Sequence, residues 1–371
     1  MKFYIIAGEA SGDLHAPNLM KALKAEEPDT QFRFWGGDLM LKQDKNLVKH
    51  YRDLAFMGFT EVLLNLKTIK ANIRFCKQDV LDYQPDALIL VDYPGFNLRI
   101  AQFAKSKGIN IFYYISPKVW AWNQKRAIKI KSCVDEMFTI FPFETAFYKK
   151  YNFNVNYVGH PLLDAIDKTS FSDNEKVEFL QKNNLNSKPI IALLPGSRKQ
   201  EVTRILSVML SVQSSFSDYQ FVIGGAPSLP KEFYQPFLSD DTTIIFDQTY
   251  DLLKMAKAAL VTSGTATLET AIFGVPQVVC YKAGTITYHI AKRLINVKFI
   301  SLVNLILDTE CVTELIQDEL NTERLTEELQ KIIGHSRERQ LNDYQKLRQL
   351  LGDSGASLKT ASLMLKTLKP A

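Results

Sequence analysis

Residues 85–97 read Pro-Asp-Ala-Leu-Ile-Leu-Val-Asp-Tyr-Pro-Gly-Phe-Asn, and the run Ala87 to Val91 within them is apolar at every position. A strand with one wet face alternates apolar and polar side chains, so an unbroken run has the composition of a parallel strand buried on both faces. Outward from it, Phe3 to Ala7, Ile109 to Ile115 and Met137 to Phe141 repeat the pattern, with helical stretches such as Pro17 to Lys24 between. That is the rhythm of βαβ units. A second series follows the polar segment Lys168 to Lys188: Ile190 to Leu194, Gln220 to Ile223, Thr243 to Phe246, Ala258 to Val261 and Gln277 to Tyr281. Two such series predict an α/β protein of two doubly wound, Rossmann-like domains facing each other across a cleft. The expected divisions are residues 1–165, residues 166–345, and a helical segment 346–371. Thr322 to Leu368 reads as helices broken at Gly352 and Gly355, and periodicity leaves open which domain the last one covers.

The chain has 371 residues, 46% of them hydrophobic, enough for a core in each domain. Lys and Arg number 45 against 40 Asp and Glu, a formal charge of +5. That excess permits an anionic ligand or membrane surface but does not point to nucleic acid. Cys76, Cys133, Cys280 and Cys311 are far apart and form no Cys-x-x-Cys pair, which argues against zinc ribbons and redox dithiols and fits a reducing compartment. The short apolar start Met1 to Ala7 lacks the length and cleavage site of a signal peptide, and no apolar run approaches the roughly 20 residues that span a bilayer. A cytoplasmic location is expected, with any membrane contact peripheral.

Chemistry is expected in the loops after the strands. Gly8-Glu9-Ala10-Ser11-Gly12-Asp13 opens a helix, where small residues let amides approach a ligand; a capped tight turn accounts for the same residues. Asp92 stands at the carboxyl end of the buried strand, placed either to accept a proton or to bond the following Pro-Gly turn. Ser116 to Trp122 is aromatic and runs into Lys125 and Arg126, suited to sugar and phosphate or to ordinary packing. In the second half, Pro195-Gly196-Ser197-Arg198 offers a guanidinium that matches diphosphate oxygens, unless it is a solvated turn. Ser263-Gly264-Thr265-Ala266-Thr267-Leu268-Glu269 suits a phosphate-binding helix start, with Glu269 within reach of a ribose, or a capped helix. The stretch Ala55 to Gln78 combines apolar residues with Lys67, Lys70, Arg74 and Lys77, as at a lipid interface or an acyl-binding surface, although a core-facing helix is the commoner cause. Rossmann and Walker glycine loops, a Gly-x-Ser-x-Gly elbow, a His-Glu-x-x-His helix and an Asp-x-Asp pair are all missing, so no metal or cofactor is expected.

In combination these loops resemble the lipid-A-disaccharide synthase family over nearly the whole chain. The matching stretches are AGEASGD (7–13), MGFTEVL (57–63), VDYPGFN (91–97), SPKVWAWNQKR (116–126), FPFE (141–144), VGHPLLD (158–164), LLPGSR (193–198) and SGTATLE (263–269). The resemblance implies an inverting, metal-independent glycosyltransferase of the two-domain GT-B type. It implies transfer of diacylglucosamine from its UDP conjugate to diacylglucosamine 1-phosphate in lipid A synthesis. It implies Asp92 as general base and Arg198 at the nucleotide diphosphate. Glu9, Ser11 and Gly12 match the acceptor loop, and Gly196, Ser197, Ser263, Gly264, Thr265 and Glu269 the donor side. Glu61, Asn97, Ser116, Trp120, Lys125, Arg126 and Asn304 complete the expected substrate-binding set. Many relatives carry a second acid where this chain has Gly95, which bears on whether Asp92 acts alone. Expected partners are the two lipid substrates and the cytoplasmic face of the inner membrane. A homodimer fits, though no stretch marks an interface. Competing readings are another UDP-sugar enzyme of the same fold, such as an epimerase or a peptidoglycan glycosyltransferase, and a non-catalytic lipid or nucleotide-sugar binder.

Overall fold

Every residue of β4 (Ala87–Val91) is buried, and the strand lies at the centre of a parallel sheet. The computed structural model describes residues 1–54, 65–166, 171–239, 242–284, 288, 293 and 297–369. They fall into two compact units, Met1–Ile166 with Leu351–Ala371, and Asp167–Leu350.

In the first unit β1 (Lys2–Ala7), β2 (Gln31–Gly36), β3 (Leu47–His50), β4, β5 (Asn110–Tyr114), β6 (Glu136–Thr139) and β7 (Asn156–Tyr157) form a sheet of order β3-β2-β1-β4-β5-β6-β7. Ala7 pairs with Val91 and Val91 with Tyr114, so the three strands end level. Their following loops therefore leave one edge side by side, where the strand order reverses between β1 and β4. The strands that composition alone did not reveal, β2, β3 and β7, lie toward the sheet's flanks. In β2 a half-buried Arg33 interrupts the apolar run, β3 is half-buried throughout, and β7 has two residues.

The second unit has β8 (Ile190–Leu194), β9 (Gln220–Gly225), β10 (Thr243–Phe246), β11 (Ala256–Thr262), β12 (Gln277–Tyr281) and β13 (Glu314–Ile316) in the order β10-β9-β8-β11-β12-β13. Side chains alternate between two cores. Ile191 and Leu193 join Val202, Leu206, Leu325 and Leu329 on one face, and Ile190, Ala192 and Leu194 join Leu252, Leu253 and Val275 on the other. The sheet is thus covered by helices on both faces, which is why its strands read as continuous apolar runs. Here the order reverses between β8 and β11, where Leu194 pairs with Val261.

The last helix, Ala356–Leu368, belongs to the first unit and packs along Ala10–Glu26. Gly352 and Gly355 turn the chain into it with φ of 77° and 116°. The Asp164 carboxylate receives the amides of Gly355 at 2.6 Å and Ser357 at 2.8 Å, so a residue distant in sequence supplies the helix with its missing acceptor. Replacing Asp164 by Ala leaves these amides unpaired and is expected to destabilise the first unit by about 1–3 kcal/mol. Urea unfolding followed on that unit tests this, and an unchanged midpoint would show that water substitutes fully for the carboxylate.

Candidate functional site

The first candidate region is the edge formed by the loops after β1, β4 and β5. Chain geometry there is unusual: Asp92, Tyr93 and Ile115 have φ of 43°, 47° and 65°. Left-handed backbone is tolerated by Asp but disfavoured for a β-branched Ile, and such strain persists only where the surroundings enforce it. The Asp92 carbonyl, turned out of the strand ladder, accepts the Tyr113 hydroxyl at 2.6 Å and the Asn97 amide at 2.8 Å. Burial raises the Asp92 pKa, opposed by the Lys118 charge and by a hydrogen bond from the Tyr93 backbone. The carboxyl is therefore a stronger base than a solvated one.

The neighbouring glycines let the loops close on one another. A Cβ at Gly8 would stand 2.2 Å from the Tyr93 ring, and one at Gly12 would stand 3.0 Å from Ala7 Cβ. Glu9 and Ser11 are half-buried beside them. Asp13 is already engaged, its carboxylate taking the amides of Gly37, Leu39 and Met40 at 2.8–3.1 Å, so it anchors the next crossover and is not left for a sugar. A side chain at Gly95 would meet no atom within 4 Å.

Several residues expected to touch substrate instead hold the wall. Asn97 is fully buried with its amide on Asp92 and flanking carbonyls. Ser116 is buried and shares a 2.7 Å hydrogen bond with the Tyr148 hydroxyl. Trp120 is only 8% exposed; it packs edge-on against Phe141 and Phe143, and its indole N–H donates to Glu144. In the second unit Asn304 is fully buried, with Oδ1 accepting Cys311 and Val312 amides and Nδ2 donating to the Val312 carbonyl and Glu314. In each case burial pairs the polar group within the fold, save that the Asn97 Oδ1 is buried without a partner. Lys125 remains exposed and Arg126 half-buried, at the start of the helix Arg126–Cys133. Glu61 lies outside the described residues, as does the segment 55–64 of the apolar and cationic stretch.

The candidate region of the second unit is the edge where β8 and β11 end side by side. Gly196, at φ 112°, lets the turn after β8 lie against β11: a Cβ there would sit 2.7 Å from Glu201 Oε2 and 3.3 Å from Thr262. Ser197 contributes its carbonyl to Ser228 within this turn. Arg198 is exposed and pairs with Glu201 at 3.1 Å. An exposed ion pair of this kind contributes roughly 0–1 kcal/mol, so an anionic ligand can take the guanidinium over. After β11, Ser263 donates to the Ile300 carbonyl and Thr265 is exposed, so the helix Thr265–Ile272 starts at Gly264 without a side-chain cap. Its first amides are available to an anion. Glu269 is half-buried one turn on, accepts the Tyr250 hydroxyl at 3.0 Å, and has its pKa raised by burial.

Sequence reasoning placed Tyr113, Lys118 and Glu144 in or beside its motifs but gave none of them a role of its own. For Tyr113 a signal exists: a phenol in a strand buried on both faces must find a hydrogen-bond acceptor, and the nearest irregular backbone is the strand end. Glu144, fully buried, accepts Phe141 and Ile140 amides and the Trp120 indole. Burial lifts its pKa to about 7 against the opposing pull of those donors.

Two parallel doubly wound sheets with their irregular loops at the carboxyl edges define the GT-B class. Solved structures agree: a putative UDP-N-acetylglucosamine 2-epimerase from Listeria monocytogenes superposes with a TM-score of 0.70 at 12% identity, over 100% of this chain and 97% of that one. The UDP-GlcNAc 2-epimerase of Neisseria meningitidis bound to UDP-GlcNAc does so at 0.69 and 13%, over 99% of each. At such identities the likeness concerns the fold alone. The family model for lipid-A-disaccharide synthetase matches residues 3–367. Proteins named lipid-A-disaccharide synthase are 39% identical in Syntrophus aciditrophicus, over 98% of this chain and 97% of that protein, and 35% identical in Myxococcus xanthus, over 100% and 98%. The chain belongs to the lipid-A-disaccharide synthetase family. It is a glycosyltransferase of lipid A biosynthesis, a hexosyltransferase that takes a sugar-nucleotide donor and a sugar-phosphate acceptor.

The Glu144 environment carries a pH signature. The folded protein holds this proton up to about pH 7, whereas the unfolded chain releases it near 4.5. Its contribution is therefore fully present below pH 4.5 and lost as pH rises through 7, by on the order of 3 kcal/mol. Glu144→Gln keeps the shape without the titration. The difference in urea stability between wild type and variant should move in the variant's favour from pH 5 to pH 8; a constant difference would refute the raised pKa.

Proposed function

We propose that the enzyme condenses UDP-2,3-diacylglucosamine with 2,3-diacylglucosamine 1-phosphate, releasing UDP and forming the β-1,6-linked disaccharide 1-phosphate. The observation that carries this is Asp92: a carboxyl at the switch point of a parallel sheet, on enforced left-handed backbone, with its basicity raised by burial. In the reaction its carboxylate takes the proton of the acceptor 6-hydroxyl as that oxygen bonds to the anomeric carbon. The bond from that carbon to the diphosphate breaks, and the electron pair leaves with UDP. Attack opposite the leaving group inverts the anomeric centre. Arg198 and the amides opening Thr265–Ile272 meet the negative charge that develops on the diphosphate, and Glu269 accepts from the ribose hydroxyls. Glu9, Ser11 and Gly12 line the acceptor side with Lys125 and Arg126 toward its phosphate. A side chain at Gly95 would meet no atom within 4 Å, which supports reading the position as shaping the turn and Asp92 as the base.

Diacylated substrates reside in a membrane, and the first unit has a surface suited to one. The helices Leu66–Tyr83, Pro94–Lys105 and Arg126–Cys133 pack in sequence and carry nine Lys or Arg residues against two Asp. Leu66, Phe75 and Ile128 are 43%, 51% and 60% exposed among them. Apolar side chains bordered by cations support peripheral docking on an anionic bilayer. Among the described residues no helix is long and apolar enough to cross one.

Asp92→Asn should reduce turnover by ~10²–10⁴-fold while UDP affinity stays near wild type; turnover at the wild-type rate removes Asp92 from the base role. Arg198→Ala should raise the Kd for UDP by roughly tenfold to a hundredfold in calorimetry, and an unchanged Kd excludes its contact with the diphosphate. On the membrane side, Ile128→Glu and Leu66→Glu replace exposed groups and should weaken cosedimentation with vesicles containing anionic phospholipid. Equal sedimentation of variants and wild type would locate any docking surface elsewhere.

A further inference from the structure

The Asp92 turn has a second layer. Val91 is the last residue of β4, and the Asp92 amide still reaches toward Tyr114 at 3.4 Å, but its left-handed φ turns the carbonyl away from the ladder. Two donors from different elements capture that carbonyl: the fully buried Tyr113 on β5, and Asn97 in the first turn of Pro94–Lys105. Tyr113 makes the shorter contact, 2.6 Å, across 21 residues of sequence. A buried phenol could be satisfied by any carbonyl. This one fixes the backbone of the residue that carries the carboxyl, the first of two consecutive non-glycine residues at positive φ.

We propose that Tyr113 is a positioning residue for glycosyl transfer: its hydroxyl, with the Asn97 amide, pins the Asp92 carbonyl and so sets the direction in which the Asp92 carboxylate points. Tyr113 itself touches neither substrate. The inference rests on the reading of Asp92 as general base. Without the phenol the turn relaxes toward ordinary right-handed or extended backbone, and the carboxylate swings from its place. An error of about 1 Å in a reacting group can cost 10²-fold in rate. Burial bears most on the carboxyl's titration, followed by the Lys118 charge and the Tyr93 amide, and the Asp92 charge in turn raises the pKa of the Tyr113 phenol. A relaxed turn is more solvated, so the variant's carboxyl ionises at lower pH.

The test is Tyr113→Phe, which removes one oxygen, assayed with both lipid substrates in detergent micelles. We expect kcat to fall tenfold or more, KM to change less than threefold, and the acid limb of the kcat profile to move to lower pH. Asn97→Ser, which withdraws the other donor, should act in the same direction. Tyr4→Phe serves as the control: Tyr4 is equally buried in the same sheet, but its hydroxyl donates to Asp79 and accepts the Trp35 indole N–H, and so does not bond the Asp92 carbonyl. It should lower the melting temperature and leave kcat and the acid limb alone. In an Asp92→Asn background, removing the Tyr113 hydroxyl should have no further effect on residual turnover. The proposal is overturned if folded Tyr113→Phe keeps the wild-type kcat and pH profile while Asp92→Asn is inactive, or if Tyr4→Phe reproduces its kinetic loss. Full turnover by Asp92→Asn would instead defeat the base reading on which it stands.

Discussion

Burial of the central strands on both faces is the constraint from which the rest follows. Ala87–Val91 and Ile190–Leu194 have no side chain that tolerates water, so helices must cover each sheet above and below. A helix on a face can join two strands only by a crossover, and crossovers make the strands parallel. Parallel strands then deliver all their following loops to one edge. The level endings Ala7, Val91 and Tyr114 in the first unit, and Leu194 and Val261 in the second, turn that generality into two places where polar groups gather.

The two edges solve opposite electrostatic problems. In the first unit, burial raises the pKa of Asp92 and Glu144, and the fold opposes full neutralisation with backbone amides, an indole N–H and the Lys118 charge. A carboxyl whose pKa is raised in this way accepts a proton more readily than a solvated one. In the second unit the groups are a guanidinium in a weak ion pair and the uncapped start of a helix, both of which welcome negative charge. A carboxyl of raised basicity and groups that attract anions are each suited to a transfer in which an alcohol attacks and a diphosphate leaves.

Family motifs mix residues that meet ligands with residues that hold the former in place. Within VDYPGFN, Asp92 brings a carboxyl of raised basicity and Asn97 holds its backbone carbonyl; within SPKVWAWNQKR, Ser116 and Trp120 bind Tyr148 and Glu144 while Lys125 stays exposed. Within AGEASGD, Asp13 ties down the following crossover. Residue type does not separate these roles, since the same amide or hydroxyl serves either. Burial does, because a buried polar group must find its partner inside the protein.

The sequence by itself determined the parallel α/β class, the central strands and the order of the chemical loops, because these depend on local composition: apolar runs without alternation, ended by Asp, Gly or Ser. It did not reveal β2, whose apolar run Arg33 interrupts, or β3, β7 and β13, whose half-buried or very short runs lack the apolar signal of the centre. Only the tertiary structure decided that the final helix returns to the first unit, held through Asp164 some 190 residues earlier. It alone showed that Tyr113 reaches under the turn at Asp92. Both are contacts between residues far apart in the chain, set by packing, and no periodicity or spacing encodes which buried donor meets which acceptor.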